Sequence, residues 1–167
     1  ELIDNYPPDN MKKEFPFTSV SKIQQALWEM YGSRGAQVFA TRGGEATFND
    51  ALNSFGSVAK AAQLAMQVGS LEARIKIGLE FFAKFFNTVS DQKVRVEEDD
   101  DYWYWVIERC PMCWNRTANE PVGHLGVGVL KAATAWASGG QSFRIQEWKC
   151  IAMGDKEGII RIEKPKK

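Results

Sequence analysis

The chain has 167 residues, 44% hydrophobic and 25% charged, which is typical of a globular domain and excludes a disordered, collagen-like or coiled-coil chain. A single domain of this length buries enough surface to fold without disulfide bonds. The 21 basic residues balance the 21 acidic ones, so we expect neither nucleic acid nor an anionic membrane surface as a partner. The sequence has no apolar run of the ~20 residues that a membrane span needs. With no apolar signal segment and three cysteines, we expect a reducing, cytoplasmic location.

The first part of the chain is predicted to be helical. Residues 1–17 contain three prolines and are predicted to form an extended lead-in. Apolar residues at three- and four-residue spacing predict a helix over 18–32, and a second, shorter one over 33–41. Gly43–Gly44 is expected to break the chain again. The alanine-rich stretch 45–68 predicts further helix in two pieces.

Ser70 is positioned to cap the longest candidate helix, which runs to about Val89. Its apolar side chains cover a broader face than a single neighbouring element would bury. The pattern therefore predicts cover from more than one side, by a pocket or by a partner chain. The central apolar residues are Leu71, Ile75, Phe82, Phe85 and Phe86, with Ile77 and Phe81 on the flanks.

Period-two alternation after Asp91 predicts two β-hairpins with a helix between them. The first hairpin contains Val94, Val96 and the strand 102–107, joined by the acidic loop 97–101. An irregular loop over 110–119 leads to a crossing helix over 121–137. The second hairpin joins a strand from Phe143 to Cys150 with a strand over 159–162. The basic residues 164–167 are predicted to be a solvated tail.

The predicted fold is therefore α+β. N-terminal helices pack on a mostly antiparallel sheet of about four strands, and a crossing helix joins the two hairpins. We expect residues 18–163 to form one domain. In the crossing helix, Gly126 and Gly128 are expected to mark close packing against another backbone, because glycine otherwise destabilises a helix.

The three thiols and the only imidazole of the chain all lie in its last third. Cys110 and Cys113 have the two-residue gap that lets both sulfurs face one ion, while His124 opens the crossing helix and Cys150 ends a strand. Three thiolates and one imidazole match a closed, tetrahedral, structural zinc site. We therefore predict zinc bound by Cys110, Cys113, His124 and Cys150.

Three other interpretations of these residues stay open. Cys150 and His124 could be partly buried packing residues. Cys110 and Cys113 could form a thiol–disulfide pair, although redox motifs of this type normally open a helix after a strand. A Cys/His hydrolase would use Cys113 or Cys110 as nucleophile and His124 as base, with Glu120 or Asp155 to orient the base.

Five of the six tryptophans lie in the last 65 residues, and Trp103 and Trp105 share one face of a strand. Together with the phenylalanine-rich helix, they predict an apolar cavity for a small molecule. We expect this cavity between the helix and the sheet, lined by Phe82, Phe86, Trp103 and Trp105. The alternative is a plain aromatic core or a dimer interface.

Two stretches of the chain resemble the 4-vinyl reductase, or hydrocarbon-binding, domain family. The first is SVSKIQQALWEMYGSRGAQVFATRGG, residues 19–44. The second combines a strand ending in Cys110-Pro, the helix start at 121–125, Glu147-Trp148-Lys149-Cys150 and the segment 152–155. The resemblance covers roughly residues 18–163. It implies a fold similar to the Bet-type subunits of the TRAPP trafficking complex, and a cytoplasmic domain that binds small molecules.

The metal pattern of that family is only partly present. Its Glu-x-x-Cys is matched by Glu147 and Cys150, but its cysteine at the start of the crossing helix is Gly123 here, and a further cysteine is Gly158. Cys110, Cys113 and His124 could replace the missing ligands. Because Glu147 and Cys150 are three residues apart, both could bind one ion only across a bulge or at a strand end.

The function that we expect is non-enzymatic: a module that binds an apolar or aromatic molecule, as a homodimer, with structural zinc. Two alternatives remain. One is an enzyme or accessory subunit in tetrapyrrole or related small-molecule metabolism, and the other is a protein–protein scaffold like the trafficking subunits.

Overall fold

The computed structural model describes residues 12–54, 56, 60, 63–64 and 69–165. Three helices and a four-stranded sheet make up the described chain, together with a short 3-10 helix at Ile151–Met153. The helices are α1 (Phe17–Ser54), α2 (Leu71–Val89) and α3 (His124–Ser138), and the strands are β1 (Lys93–Glu98), β2 (Tyr102–Arg109), β3 (Ile145–Lys149) and β4 (Gly158–Glu163).

Helix α1 is longer than the sequence pattern predicts. The predicted stop at Gly32 is present only as a kink, where the glycine adopts φ 64° and ψ 175° between two helical pieces. The predicted break at Gly43–Gly44 is wrong, because helix continues through both glycines. Gly44 instead lies against α3: a Cβ atom there would stand 2.1 Å from the carbonyl oxygen of Leu125.

The crossing of α1 and α3 depends on glycines from both helices. A Cβ atom on Gly128 would lie 1.9 Å from the carbonyl oxygen of Thr41, a distance that no side chain tolerates. The close backbone approach expected at Gly128 is thereby confirmed. The glycines are present here because they let two helix backbones touch, and they bring the first turns of α3 against residues 41–44 of α1.

Helix α2 begins as predicted. The Ser70 side chain accepts a hydrogen bond from Ala73 N at 3.2 Å, and Glu72 lies in the first turn, where the helix dipole favours an acidic residue. Ile75, Gly78, Leu79 and Ala83 are buried. The helix packs against α3 and β1, so its apolar face is covered from two directions.

The sheet has the strand order β1-β2-β4-β3, and every neighbouring pair is antiparallel. Trp103 pairs with Ile162 and Trp105 with Ile160 in the centre of the sheet. All four of these side chains are at most 5% exposed, so this face of the sheet forms the core with the helices. The predicted α+β class, the strand count and the crossing helix between two hairpins are confirmed.

The predicted lead-in and tail lie largely outside the described residues, which exclude 1–11, 166–167 and most of the second half of 45–68. Lys164, the first residue of the predicted tail, is held against the domain: its ammonium donates to Glu98 Oε2 at 2.9 Å and to the Asp99 carbonyl at 2.7 Å. Among the described residues, no helix combines the length and the apolar character needed to cross a membrane.

Candidate functional site

An aromatic cavity of about 370 Å³ lies where α1, α2, β2 and α3 meet. This volume is within the range of pockets that bind small organic ligands. Its walls are built mainly from large apolar side chains. The central ones are Phe48, Leu52, Phe81, Phe82, Phe85, Phe86, Trp105, Ile107, Leu125, Val129, Leu130 and Trp136.

Edge-to-face ring contacts hold these walls. The ring of Phe82 lies 5.1 Å from that of Phe48 and 6.0 Å from that of Trp136, and Phe86 contacts Trp105 at 6.1 Å. Such contacts stabilise aromatic pairs beyond their buried area. One ring, Phe82, therefore links α2 to both α1 and α3, so the cavity has a defined shape.

Three of the four side chains predicted to bind ligand line the cavity: Phe82, Phe86 and Trp105. Trp103 does not, although it shares a strand face with Trp105. It is fully buried and its ring lies 6.4 Å from that of Phe143, at the other end of the sheet. Phe48 and Trp136 also line the cavity and are not predicted from the sequence, because their helical spacing gives no sign that α1 and α3 converge there.

Polar groups of the cavity are gathered at one edge. Lys13 and Asp91 are exposed and form an ion pair at 3.7 Å, and Ser90 and Gln92 stand beside them. The deeper wall, around Phe82 and Trp105, is apolar. A ligand that fits has an apolar body, with any polar group pointing toward this edge.

A second cluster, the thiol site, consists of Cys110, Cys113, Glu147 and Cys150. The Sγ atoms of Cys110 and Cys113 are 3.0 Å apart, and those of Cys113 and Cys150 are 3.8 Å apart. Ligand atoms of Cys113, Glu147 and Cys150 all lie within 4.8 Å of one another. Each of the four side chains is at most 8% exposed. The structure thus brings two of the predicted cysteines, Cys113 and Cys150, together with Glu147, and it places the third, Cys110, beside Cys113.

Local backbone features explain how Glu147 and Cys150 reach one point. The β3–β4 register shifts between Glu147 and Lys149, and Cys150 follows the last residue of β3. The main-chain N–H of Cys150 donates to Asp155 Oδ2 at 2.8 Å, which fixes the turn. The sequence analysis required a bulge or a strand end for these two residues to share an ion, and both are present.

Gly123 makes room for the Glu147 carboxylate. Its N–H donates to Glu147 Oε2 at 2.7 Å, and a Cβ atom at position 123 would lie 2.6 Å from Oε1. Any larger residue at this position would therefore displace the carboxylate. The glycine that stands where the resembled family has a cysteine thus admits a carboxylate to the thiol site.

Burial of this cluster favours its protonated forms in the metal-free chain. Burial raises the pKa of Glu147 to about 8, and the neighbouring Cys150 adds to the effect. The hydrogen bond with Cys110 raises the pKa of Cys113 to about 12. The hydrogen bond with Cys113, together with burial, raises the pKa of Cys150. In the metal-free chain, the protons on these carboxyl and thiol groups take the place of the positive charge that a metal ion would supply.

Three of the four side chains, Cys113, Glu147 and Cys150, have the mutual spacing of a metal site, and Cys110 would have to move its sulfur to join them as a fourth ligand. In a zinc site with Zn–S bonds of about 2.3 Å, two thiolates stand about 3.8 Å apart. The pair Cys113 and Cys150 already has this separation, whereas Cys110 and Cys113 at 3.0 Å would have to open. The donor set of soft sulfurs with one carboxylate suits zinc.

His124 does not lie in this cluster. Its ring stacks on Trp28 at 6.1 Å, and its Nε2 is enclosed with no hydrogen-bond partner. Burial lowers the pKa of His124, and the Glu120 carboxylate, which accepts hydrogen bonds from Trp28 and Ser33, acts against that shift. Glu147 therefore replaces His124 as the candidate fourth ligand of the predicted Cys₃His site.

Comparisons with known proteins give a fold and no family. No family model matches the sequence, and no curated protein matches it. The fold is similar to the phenol-responsive sensory domain of the transcription activator PoxR with phenol (14% identity, TM-score 0.62, 89% of this chain and 74% of that one). It is also similar to an H-NOX protein from S. oneidensis in the Fe(II)NO ligation state (12%, 0.59, 95% and 83%).

A third similar structure is trafficking protein particle complex subunit 3 from Naegleria fowleri, covalently bound to palmitic acid (17% identity, TM-score 0.52, 86% of this chain and 81% of that one). The three neighbours share the architecture at low identity. This chain therefore has a fold that is also found in a phenol-responsive sensory domain, an H-NOX protein and a trafficking subunit.

Proposed function

We propose that this chain is a sensory or carrier module that binds an apolar or aromatic small molecule in the aromatic cavity. The observation that carries the proposal is the cavity itself: about 370 Å³ with deep walls of Phe82, Phe86 and Trp105 and a polar edge. A plain core would fill such a space, because protein interiors are close-packed. The phenol and palmitic acid named with two structural neighbours are of the same broad chemical kind.

The cavity is tested by titrating the protein with phenol, 4-alkylphenols and n-alkanols while following tryptophan fluorescence. Trp105 and Trp136 line the cavity, so a bound ligand should change their emission. The Trp105→Phe variant should lose much of the change. Trp148→Phe, which removes a tryptophan that is 53% exposed, should retain it. Lack of any response, confirmed by calorimetry, would contradict the proposal.

We further propose that the thiol site holds a structural zinc ion through Cys110, Cys113, Cys150 and Glu147. Four protein ligands leave no position for water, so zinc here would stabilise the fold without taking part in catalysis. The buried carboxylate supports the proposal, since a divalent cation compensates a charge that burial alone penalises.

Elemental analysis of protein purified under reducing conditions tests the zinc. One equivalent per chain is expected. Glu147→Gln should lower zinc affinity, because an amide oxygen is a weaker ligand than a carboxylate. His124→Gln should leave zinc at one equivalent. Zinc content that falls with His124→Gln and not with Glu147→Gln would restore the Cys₃His set predicted from the sequence.

The homodimer and the cytoplasmic location remain proposals. The apolar width of α2, from which the dimer was predicted, is largely used by the cavity that Phe81, Phe82, Phe85 and Phe86 line. Exposed apolar side chains lie instead on α1, where Tyr31 and Phe39 contact each other at 4.7 Å. Sedimentation at micromolar concentration checks the dimer, which should have twice the 18.8 kDa mass of the chain.

A further inference from the structure

The aromatic cavity and the thiol site share one short segment of chain. Pro111 and Met112 line the cavity, and they lie between Cys110 and Cys113 of the thiol site. Met112 is 4% exposed, as buried as the cysteines on either side of it. One four-residue turn therefore forms the end wall of the cavity and half of the thiol site.

Met112 reaches across the cavity end to helix α3. A Cβ atom on Gly126 would stand 3.4 Å from Met112 Cε and 3.1 Å from Ile160 Cδ1. The methionine tip thus lies against the helix beside the sheet. Methionine adapts its shape to irregular gaps more readily than branched residues do, so a shift of its backbone would change the depth of the cavity.

The turn is held on its outer side by Arg116. Its side chain donates to the Met112 carbonyl at 3.1 Å, and its main-chain N–H donates to the Cys113 carbonyl at 3.0 Å. On the inner side the sulfur atoms determine its width. Tetrahedral zinc needs about 3.8 Å between two thiolates, against the present 3.0 Å between Cys110 and Cys113. Zinc bound by both sulfurs therefore requires the two sulfur atoms to move apart.

Pro111 limits how this movement is absorbed. Its ring fixes φ near −65°, so the turn has fewer free backbone angles than another four-residue segment. The surroundings are packed, and packed interiors transmit displacement rather than damp it. Any part of the movement that the backbone takes up therefore reaches Met112, which lines the cavity.

We infer that zinc at the thiol site sets the position of Met112 and thereby the size of ligand that the aromatic cavity accepts. This inference rests on the proposed function, and it adds regulation to it. A ligand that presses on Met112 changes zinc affinity by the same factor, because coupling between two sites is reciprocal.

The test compares zinc-loaded protein with chelator-treated, reduced protein. Phenol and a series of 4-n-alkylphenols are titrated into both forms and followed by fluorescence and calorimetry. The expected result is a shift of the best-fitting alkyl length between the forms, with at least one member changing affinity about fivefold or more. The NMR signal of the Met112 methyl group, in protein labelled at its five methionines, should move when zinc binds.

Two variants separate coupling from general destabilisation. Met112→Ala should still bind one equivalent of zinc, yet its alkylphenol preference should be the same with and without zinc. Val129→Ala alters a cavity wall on α3 and leaves the residues of the turn unchanged, so its preference should change while the dependence on zinc persists.

Each remaining outcome overturns a distinct statement. Identical affinities and preference in the two wild-type forms overturn the coupling, and leave both the cavity and the zinc site standing. Zinc below one equivalent overturns the metal site and the coupling with it. If no phenol, alkylphenol or alkanol binds in either form, the proposed ligand-binding function is overturned as well.

Discussion

The aromatic cavity and the thiol site meet at Pro111 and Met112, yet they are built in different ways. The cavity takes its walls from four elements, and many ring contacts share the work of shaping it. The thiol site depends on four side chains at the ends of elements and on two main-chain hydrogen bonds, from Gly123 and Cys150. We therefore expect a single substitution in the cavity to reduce ligand affinity only in part. A single substitution in the thiol site should abolish metal binding.

The largest effect is expected from Cys150→Ser. The loss of one thiolate should release zinc, and the Glu147 carboxyl, whose pKa burial raises to about 8, should then take up a proton at neutral pH. The stability that is lost is the zinc-binding free energy, about 3–4 kcal/mol when free zinc exceeds its Kd by about 100- to 1,000-fold. This corresponds to a fall in Tm of about 6–16 °C for a chain of this length. Calorimetry of zinc-loaded protein measures it.

A chelator supplies the control for that substitution. Wild-type protein treated with chelator should lose a similar part of its Tm, whereas Cys150→Ser should not respond to chelator. A Tm that is the same in all four samples would show that the thiol site contributes nothing to stability.

The next effect concerns the helix crossing that holds two cavity walls together. Gly128→Ala places a methyl group 1.9 Å from the carbonyl oxygen of Thr41, so the helices must separate. Overpacking typically costs 1–3 kcal/mol or more, and we expect about 3 kcal/mol here. Urea unfolding measures it, and alkylphenol affinity should fall in parallel.

Gly43→Ala is the matched control for the crossing. Its added methyl group would meet only Leu125 Cδ1, at an ordinary contact distance of 3.7 Å. Because alanine favours helix over glycine, the free energy of unfolding should rise by about 0.5–1 kcal/mol. Equal destabilisation by both substitutions would contradict the account of the α1–α3 contact.

These glycines also show how far the sequence could predict the structure. The sequence predicts the Ser70 cap, the alternating strands and the crossing helix, because each of them depends on a short-range pattern of residues. The sequence pattern predicts a break at Gly43–Gly44, because glycine lowers helix propensity and the sequence does not reveal a helix packed against it. Tertiary contact overrode propensity.

Each of the two sites likewise contains residues that the sequence predicts and residues that it does not. The three cysteines could be found by residue type alone, but the choice between His124 and Glu147 depends on a register shift in β3 and on the space left by Gly123. In the cavity, Phe82, Phe86 and Trp105 followed from apolar patterning. Phe48 and Trp136 join them only because α1 and α3 cross, which is a property of the fold rather than of any segment.

A pH titration sharpens the choice of metal ligand, with a smaller effect on stability. Burial lowers the pKa of His124 below its ordinary value of 6.5. The unfolded chain therefore binds the proton more readily than the folded chain. Above pH 6.5 the His124 imidazole is neutral in both states and does not lower the free energy of unfolding. As the pH falls from 6.5 through the lower pKa of the folded state, protonation of the unfolded chain lowers the free energy of unfolding. His124→Gln should remove this part of the pH dependence.

Proton NMR of the single imidazole in the chain measures the pKa directly. In zinc-loaded protein the His124 signals should still titrate, with a midpoint below 6.5, because Glu147 and not His124 is the proposed ligand. A ring that stops titrating when zinc is added would reassign the fourth ligand to His124.

The smallest effect is expected in the cavity wall, from Phe82→Leu. The substitution removes part of a ring that contacts both Phe48 and Trp136, but a half-buried side chain and several neighbouring rings remain to close the space. We expect the free energy of unfolding to fall by about 1 kcal/mol. The affinity for phenol should fall by a similar amount, about fivefold, because the lost ring edge no longer contacts a small ligand. Longer 4-alkylphenols should lose less, since the enlarged cavity accommodates their chains.

Phe39→Leu, at a ring that is 47% exposed and outside the cavity, serves as control and should leave the whole affinity series unchanged. The comparison of the two sites predicts this graded response, so a complete loss of binding in Phe82→Leu would show that the cavity depends on a single residue as the thiol site does.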